Sequence, residues 1–185
     1  MKNSTNNGYL EVISGCMFSG KTNELIRSLR RSKMAGDSIV VFKPVIDNRW
    51  GCDFIVSHDD EKLPSIVVGS ASDILAKAAN ATVIGIDEGQ FLDEEILAVC
   101  KTLAQKGRRI IVAGLDMDYR GEPFGPVPVL MAIAERVTKL SAICMQCGRT
   151  AHYSHRLINK EETIVIGDKD IYEARCRRCF NRIMN

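Results

Sequence analysis

Apolar positions in this chain come in short blocks that switch between alternating and helical spacing, with glycine, proline and charged residues between them. Tyr9-Leu10-Glu11-Val12-Ile13 alternates as a strand does, and Glu24-Leu25-Ile26-Arg27-Ser28-Leu29 puts Leu25, Ile26 and Leu29 on one helical face. Gly36 and Asp37 mark a turn, and residues 38–43 follow as a β-branched strand that Pro44 ends. Residues 65–68 read as a short strand, 70–80 as a helix with Ile74, Leu75 and Ala78 along one side, and 82–87 as a strand. A helix over 93–105 opens on Asp93, Glu94 and Glu95 and closes at Gly107, as the helix dipole and a glycine C-cap favour, and 109–113 is a further strand. The strand blocks are almost continuously apolar, so both faces of the sheet are expected to be covered. The pattern predicts an α/β fold, a parallel sheet flanked by helices with right-handed crossovers. Between 44 and 64 no period holds, and long irregular stretches in compact domains tend to be functional or mobile.

The first strand and helix bracket Gly15-Cys16-Met17-Phe18-Ser19-Gly20-Lys21-Thr22, which fits G-x-x-x-x-G-K-[ST]. A strand, a glycine loop and a helix start gather backbone N–H groups and a positive helix end around a polyphosphate. Lys21 then reaches the outer phosphates and the Thr22 hydroxyl ligates Mg²⁺. Asp87 and Glu88 stand at the end of the 82–87 strand. An acidic residue at a strand tip beside such a loop is the usual second metal anchor, which suits Asp87. Glu88 is placed to accept a proton from an attacking hydroxyl. Asp93, Glu94 and Glu95 read as no more than a charged first helical turn.

The 185 residues are 45% hydrophobic and 26% charged, with a formal net charge of +2, enough for one domain and a small appendage. That charge is too weak to argue for nucleic acid or a membrane surface, and no apolar run nears a bilayer span. Residues 1–8 are polar without a signal-peptide core, so a loose tail and a cytoplasmic protein are expected. Seven cysteines are many for a reducing compartment. Cys144-x-x-Cys147 and Cys176-x-x-Cys179 repeat one knuckle spacing, which points to a closed tetrahedral zinc site holding a second lobe that begins near residue 141. Cys16, Cys52 and Cys100 are left over, Cys100 as a core residue, and His58, His152 and His155 are expected at the surface or in packing roles.

These segments, with Asp87-Glu88-Gly89-Gln90-Phe91, the stretch from Gly114 to Arg120, and Pro123-Phe124-Gly125, occur in an order that closely resembles the zinc-containing, type II (cytosolic-type) thymidine kinases, from Tyr9 to the C-terminus. The resemblance implies a P-loop ATP-binding α/β domain over 9–140 and a zinc lobe over 141–185 whose loop covers the nucleoside. It implies transfer of the ATP γ-phosphoryl group to the 5′-hydroxyl of thymidine, with Glu88 catalytic and Asp87 on the metal side. The ATP site would comprise Gly15 to Thr22, Asp47, Asn48, Arg49, Asp87 and Gln90, with Arg49 near the transferring group. Met17, Phe91, Leu115 and Tyr119 would wall the thymine, Ser154 would lie near its methyl, and Tyr172 would close over the sugar and base. Thr163, Ile164, Val165, Ile166 and Gly167 would hold the base through main-chain hydrogen bonds. Tyr119 stands where many members have Phe, and Ser154 where Thr is frequent, which leaves more room beside the base methyl. Structural zinc, magnesium with ATP, feedback by dTTP and a homotetramer complete what the resemblance implies. On this reading zinc loss loosens the second lobe and abolishes thymidine binding while sparing much of the ATP site. Two other classes are weighed against it: a nucleic-acid-dependent NTPase gripping its polymer through Arg175, Arg177, Arg178 and Arg182, and a non-catalytic nucleotide-binding regulator.

Overall fold

The computed structural model describes residues 8–47, 54–56, 61–78, 80–158 and 170–184. Six strands make one sheet: β1 (Tyr9–Ser14), β2 (Ile39–Pro44), β5 (Ile66–Val68), β6 (Val83–Ile86), β7 (Arg109–Gly114) and β8 (Arg136–Lys139). Their order is β5-β2-β6-β7-β1-β8, and every neighbouring pair is parallel. The central strands carry apolar side chains on both faces. Leu10, Val12, Phe42, Ile84, Ile86, Ile110 and Val112 point to one layer, where α2 (Ala71–Lys77), α3 (Ile96–Gln105) and α4 (Val127–Ile133) pack. Ile13, Val41, Val83, Ile111 and Ala113 point to the other, against Leu25, Ile26 and Leu29 of α1 (Lys21–Met34). The expected parallel sheet with helices on both faces is therefore present, and Cys100 lies in its core as expected.

The elements depart from the sequence pattern where side chains do local work. The helix expected from residue 93 starts at Ile96, because Asp93 turns away. One carboxylate oxygen accepts the Glu95 N–H at 3.1 Å and the other accepts the Ala71 N–H at 3.1 Å, at the first residue of α2. The aperiodic stretch after Pro44 contains a short antiparallel pair, β3 (Phe54–Val56) with β4 (Lys62–Pro64), which drops Ile55 and Leu63 onto the α1 layer. Three-residue strands are too short to show a period. Past residue 141 lie two small antiparallel ribbons, β9 (Ala142–Ile143) with β10 (Thr150–Ala151) and β11 (Tyr153–Arg156) with β12 (Tyr172–Arg175), followed by α5 (Arg177–Met184). No helix among the described residues is long and apolar enough to cross a membrane.

Gly85 on β6 lets α1 lie close to the sheet. A Cβ there would sit 2.6 Å from Leu29 Cδ1, and Leu29 is fully buried. Gly85→Ala is expected to destabilise the fold by about 1–3 kcal/mol through overpacking, read as a lower denaturant midpoint. Combined with Leu29→Ala, it should cost less than the sum of the two single changes. Strict additivity would mean that α1 is not seated on Gly85.

Candidate active site

The loop between β1 and α1 is built around backbone angles that few residues accept. Gly15 has φ +146° and Gly20 φ +84°, and a Cβ on Gly15 would meet the Leu140 carbonyl oxygen at 2.6 Å. Phe18 also takes a positive φ, 63°. The turn delivers Lys21 and Thr22 as the first residues of α1. Lys21 Nζ donates to the Cys16 carbonyl at 2.8 Å. Burial lowers the pKa of its amine, while the carboxylates of Glu88 and Asp87 pull it back up.

Asp87 leaves the tip of β6 with its N–H on the Phe42 carbonyl at 2.9 Å, which fixes it between β2 and the loop. Thr22 Oγ1 donates to Asp87 Oδ2 at 3.1 Å. Burial pushes the Asp87 carboxyl up to about 7, and the charges of Glu88 and then Asp47 push the same way. Asp47 itself is buried just past β2. Glu88 follows in the left-handed region, φ 51°, which is uncommon for a residue with a side chain and marks a constrained position. Its Oε2 accepts from Gln90 Nε2 at 2.5 Å, and Gln90 Oε1 accepts the Leu115 N–H at 2.9 Å. Gln90 is buried, and a Cβ on Gly114 would meet its Oε1 at 2.8 Å. The Gln90 side chain, expected on the ATP side, bridges Glu88 and the Leu115 N–H. The single glycine at position 114 was the available signal for that close approach.

The residues expected around a nucleoside fall partly together. Ser154 on β11 accepts the Met17 N–H at 3.0 Å. Tyr172 is buried on β12, paired with Arg156. Tyr119 lies under the Arg156 guanidinium, 3.6 Å from carbon to ring centre. Phe91 meets Phe124 edge to face at 5.8 Å. Leu115 is half-buried beside Gln90. Asn48, Arg49 and Thr163, Ile164, Val165, Ile166 and Gly167 lie outside the described residues, as do Cys52 and His58. Sequence reasoning missed Arg156, and it missed Asp116, whose buried carboxylate pairs with Lys139 Nζ at 2.5 Å. Asp116 stood inside a quoted motif without any spacing to mark its partner.

Cys144, Cys147, Cys176 and Cys179 place their four sulfurs within 4.8 Å of one another. Cys147 and Cys176 are 3.6 Å apart, far beyond a disulfide and near the ~3.8 Å between sulfurs around tetrahedral zinc. The donor set and spacing fit a zinc ion. His152 is exposed, and neither it nor His155 joins the cluster. Arg175 is buried and committed to Glu173 (2.8 Å from Nε) and Gln146, which removes one of the four arginines that a polymer-binding reading needs.

A G-x-x-x-x-G-K-T loop between strand and helix, on a parallel sheet, with an aspartate at the neighbouring strand tip, defines a P-loop nucleotide-binding protein. The thymidine kinase family model matches residues 8–180. A thymidine kinase of Rhodothermus sp. (strain ITI 518) is 53% identical over 94% of this chain and 81% of its own length. Thymidine kinases of Bacteroides fragilis (strain YCH46) and Porphyromonas gingivalis (strain ATCC 33277) are 46% and 45% identical over 96% and 97% of this chain, covering 89% and 88% of theirs. The chain belongs to the thymidine kinase family.

The raised Asp87 value has a sign that can be tested. The folded state holds a proton that the unfolded chain releases between 3.8 and about 7, so ionising Asp87 opposes folding above that window and the penalty fades as pH falls through it. In magnesium-free buffer, wild type should lose thermal stability relative to Asp87→Asn as pH rises from about 4 to 7. Magnesium should raise the melting temperature of wild type only. Parallel profiles would contradict the buried, cation-seeking carboxylate.

Proposed function

We propose that the protein transfers the γ-phosphoryl group of ATP to the 5′-hydroxyl of thymidine, giving dTMP in nucleotide salvage. The observation that carries this reading is Glu88, held by Gln90 and set one residue from the Asp87–Thr22 contact at the mouth of the phosphate loop. Backbone N–H groups of the Gly15–Thr22 loop other than that of Met17, and the Lys21 ammonium, bind the ATP phosphates. Thr22 and Asp87 would hold the magnesium of Mg–ATP, which supplies charge neutralisation at the phosphates. Glu88 orients the 5′-hydroxyl and takes its proton as the oxygen bonds to the γ-phosphorus and the bond to the β–γ bridging oxygen breaks, releasing ADP. Gln90 keeps that carboxylate in place, and Arg49 stabilises charge on the transferring group, with Asp47 and Asn48 beside it. Because the transition state is loose, position and electrostatics supply most of the catalysis.

Residues 9–140 form the ATP-binding domain in this reading, preceded by a tail over 1–8, and 141–185 form a zinc lobe. Met17, Phe91, Leu115, Tyr119, Ser154 and Tyr172 wall the base and sugar, and residues 163–167 close over the base. The four cysteines would hold a structural zinc that stiffens this lobe and takes no part in the chemistry. Feedback by dTTP, a homotetramer and a cytoplasmic setting belong to the same reading, with no nucleic-acid or membrane partner.

A screen of deoxynucleosides with Mg–ATP should give monophosphate from thymidine. No monophosphate from any deoxynucleoside would overturn the reading. Glu88→Gln should lower kcat by roughly 10²–10⁴-fold while thymidine Kd moves about twofold or less. Equal losses in both would make Glu88 a binding residue only.

A further inference from the structure

We propose that Ser154 is a positioning residue for the phosphate loop, so that the cysteine-rich segment fastens the ATP seat as well as covering the nucleoside. The proposal rests on the kinase reading above. Ser154 is buried, and its hydroxyl accepts the Met17 N–H at 3.0 Å across 137 residues of chain. The residues on either side of Met17 are held by the same segment. Cys16 Sγ lies 3.5 Å from the Ala151 carbonyl oxygen, and Cys16 and Phe18 pack in one cluster with Cys144, Cys176, Cys179 and Ala174. Three consecutive loop residues are therefore held by the cysteine-rich segment, Cys16 and Phe18 against the cysteines and Met17 by Ser154.

The connection to that site is short. Ser154 stands opposite Ala174 in the β11–β12 ribbon, and the Ala174 carbonyl accepts the Met145 N–H at 2.9 Å, inside the first knuckle. β12 runs directly into Cys176. On the loop side, Lys21 Nζ holds the carbonyl of Cys16, the residue before Met17, at 2.8 Å. A shift at Met17 therefore reaches the lysine that is to grip the phosphates. Independent packing keeps the segment in place. Tyr153 and Phe180 stack at 4.6 Å, and a Cβ on Gly121, φ +83°, would meet both rings at 3.3 Å. Losing the Ser154 hydroxyl leaves the Met17 N–H without its acceptor and frees the loop from its preset form. This revises the expectation that disturbing the cysteine lobe spares the ATP site.

The test is ATP binding by calorimetry, with magnesium and without thymidine, on metal-loaded protein. Ser154→Thr keeps the hydroxyl, Ser154→Val matches its volume without one, and Ser154→Ala removes both. Wild type and Ser154→Thr should bind alike, and Ser154→Val and Ser154→Ala should bind roughly fivefold to tenfold more weakly, the worth of one hydrogen bond. Unchanged ATP affinity in the Val and Ala variants, with only thymidine binding weakened, would reduce Ser154 to a wall of the nucleoside pocket and overturn the proposal. Amide exchange in the ligand-free wild type decides the point without any variant: a protected Met17 N–H is expected, and exchange at the rate of an open loop overturns it. Should wild type fail to bind ATP at all, the kinase reading falls, while the exchange rate still judges the Ser154 contact.

Discussion

A carboxylate is kept out of water at the end of β6, and the site is organised around its charge. Asp87 is held by Thr22 on one side and by its own backbone bond to β2 on the other, with Glu88 and Asp47 close enough to raise its proton affinity. Lys21 answers part of that charge, but its amine is itself lowered by burial. Such a group of buried and half-buried charges is poorly satisfied alone and becomes well satisfied when a divalent cation and a polyphosphate enter. The parallel sheet makes this arrangement possible, because it brings the ends of β1, β2, β6 and β7 to one edge.

Precision at that edge comes from small residues and amide contacts. Glu88 adopts a backbone conformation that side-chain-bearing residues avoid, and the Gln90 amide bridges it to the Leu115 N–H, with room made by Gly114. The other wall is borrowed from the far end of the chain, where two ribbons and α5 gather four cysteines and lean on Cys16, Met17 and Phe18. A ribbon of two- and four-residue strands has little core of its own, so a metal at the thiols would stiffen both itself and the loop it touches.

The phosphate loop, the sheet and the cysteine cluster were legible because each has a signal that is local in sequence: glycine spacing, apolar runs on central strands, a repeated Cys-x-x-Cys. The Asp93 turn, the β3–β4 pair and the Asp116–Lys139 pair were not, since each depends on a partner brought close only by the fold. The same holds for the Gln90–Leu115 and Ser154–Met17 contacts, which span 25 and 137 residues. The resemblance named both as ligand-facing, whereas their own hydrogen bonds show what else they hold.

The central claim is that one carboxylate, set by strand geometry, meets the alcohol that receives the phosphoryl group. A crystal structure of the protein with thymidine and a non-hydrolysable ATP analogue tests this most directly. The account predicts a Glu88 carboxylate oxygen within hydrogen-bonding distance of the 5′-oxygen, itself in line with the γ-phosphorus. A Glu88 side chain turned away from the sugar, with another group on that oxygen, would contradict it.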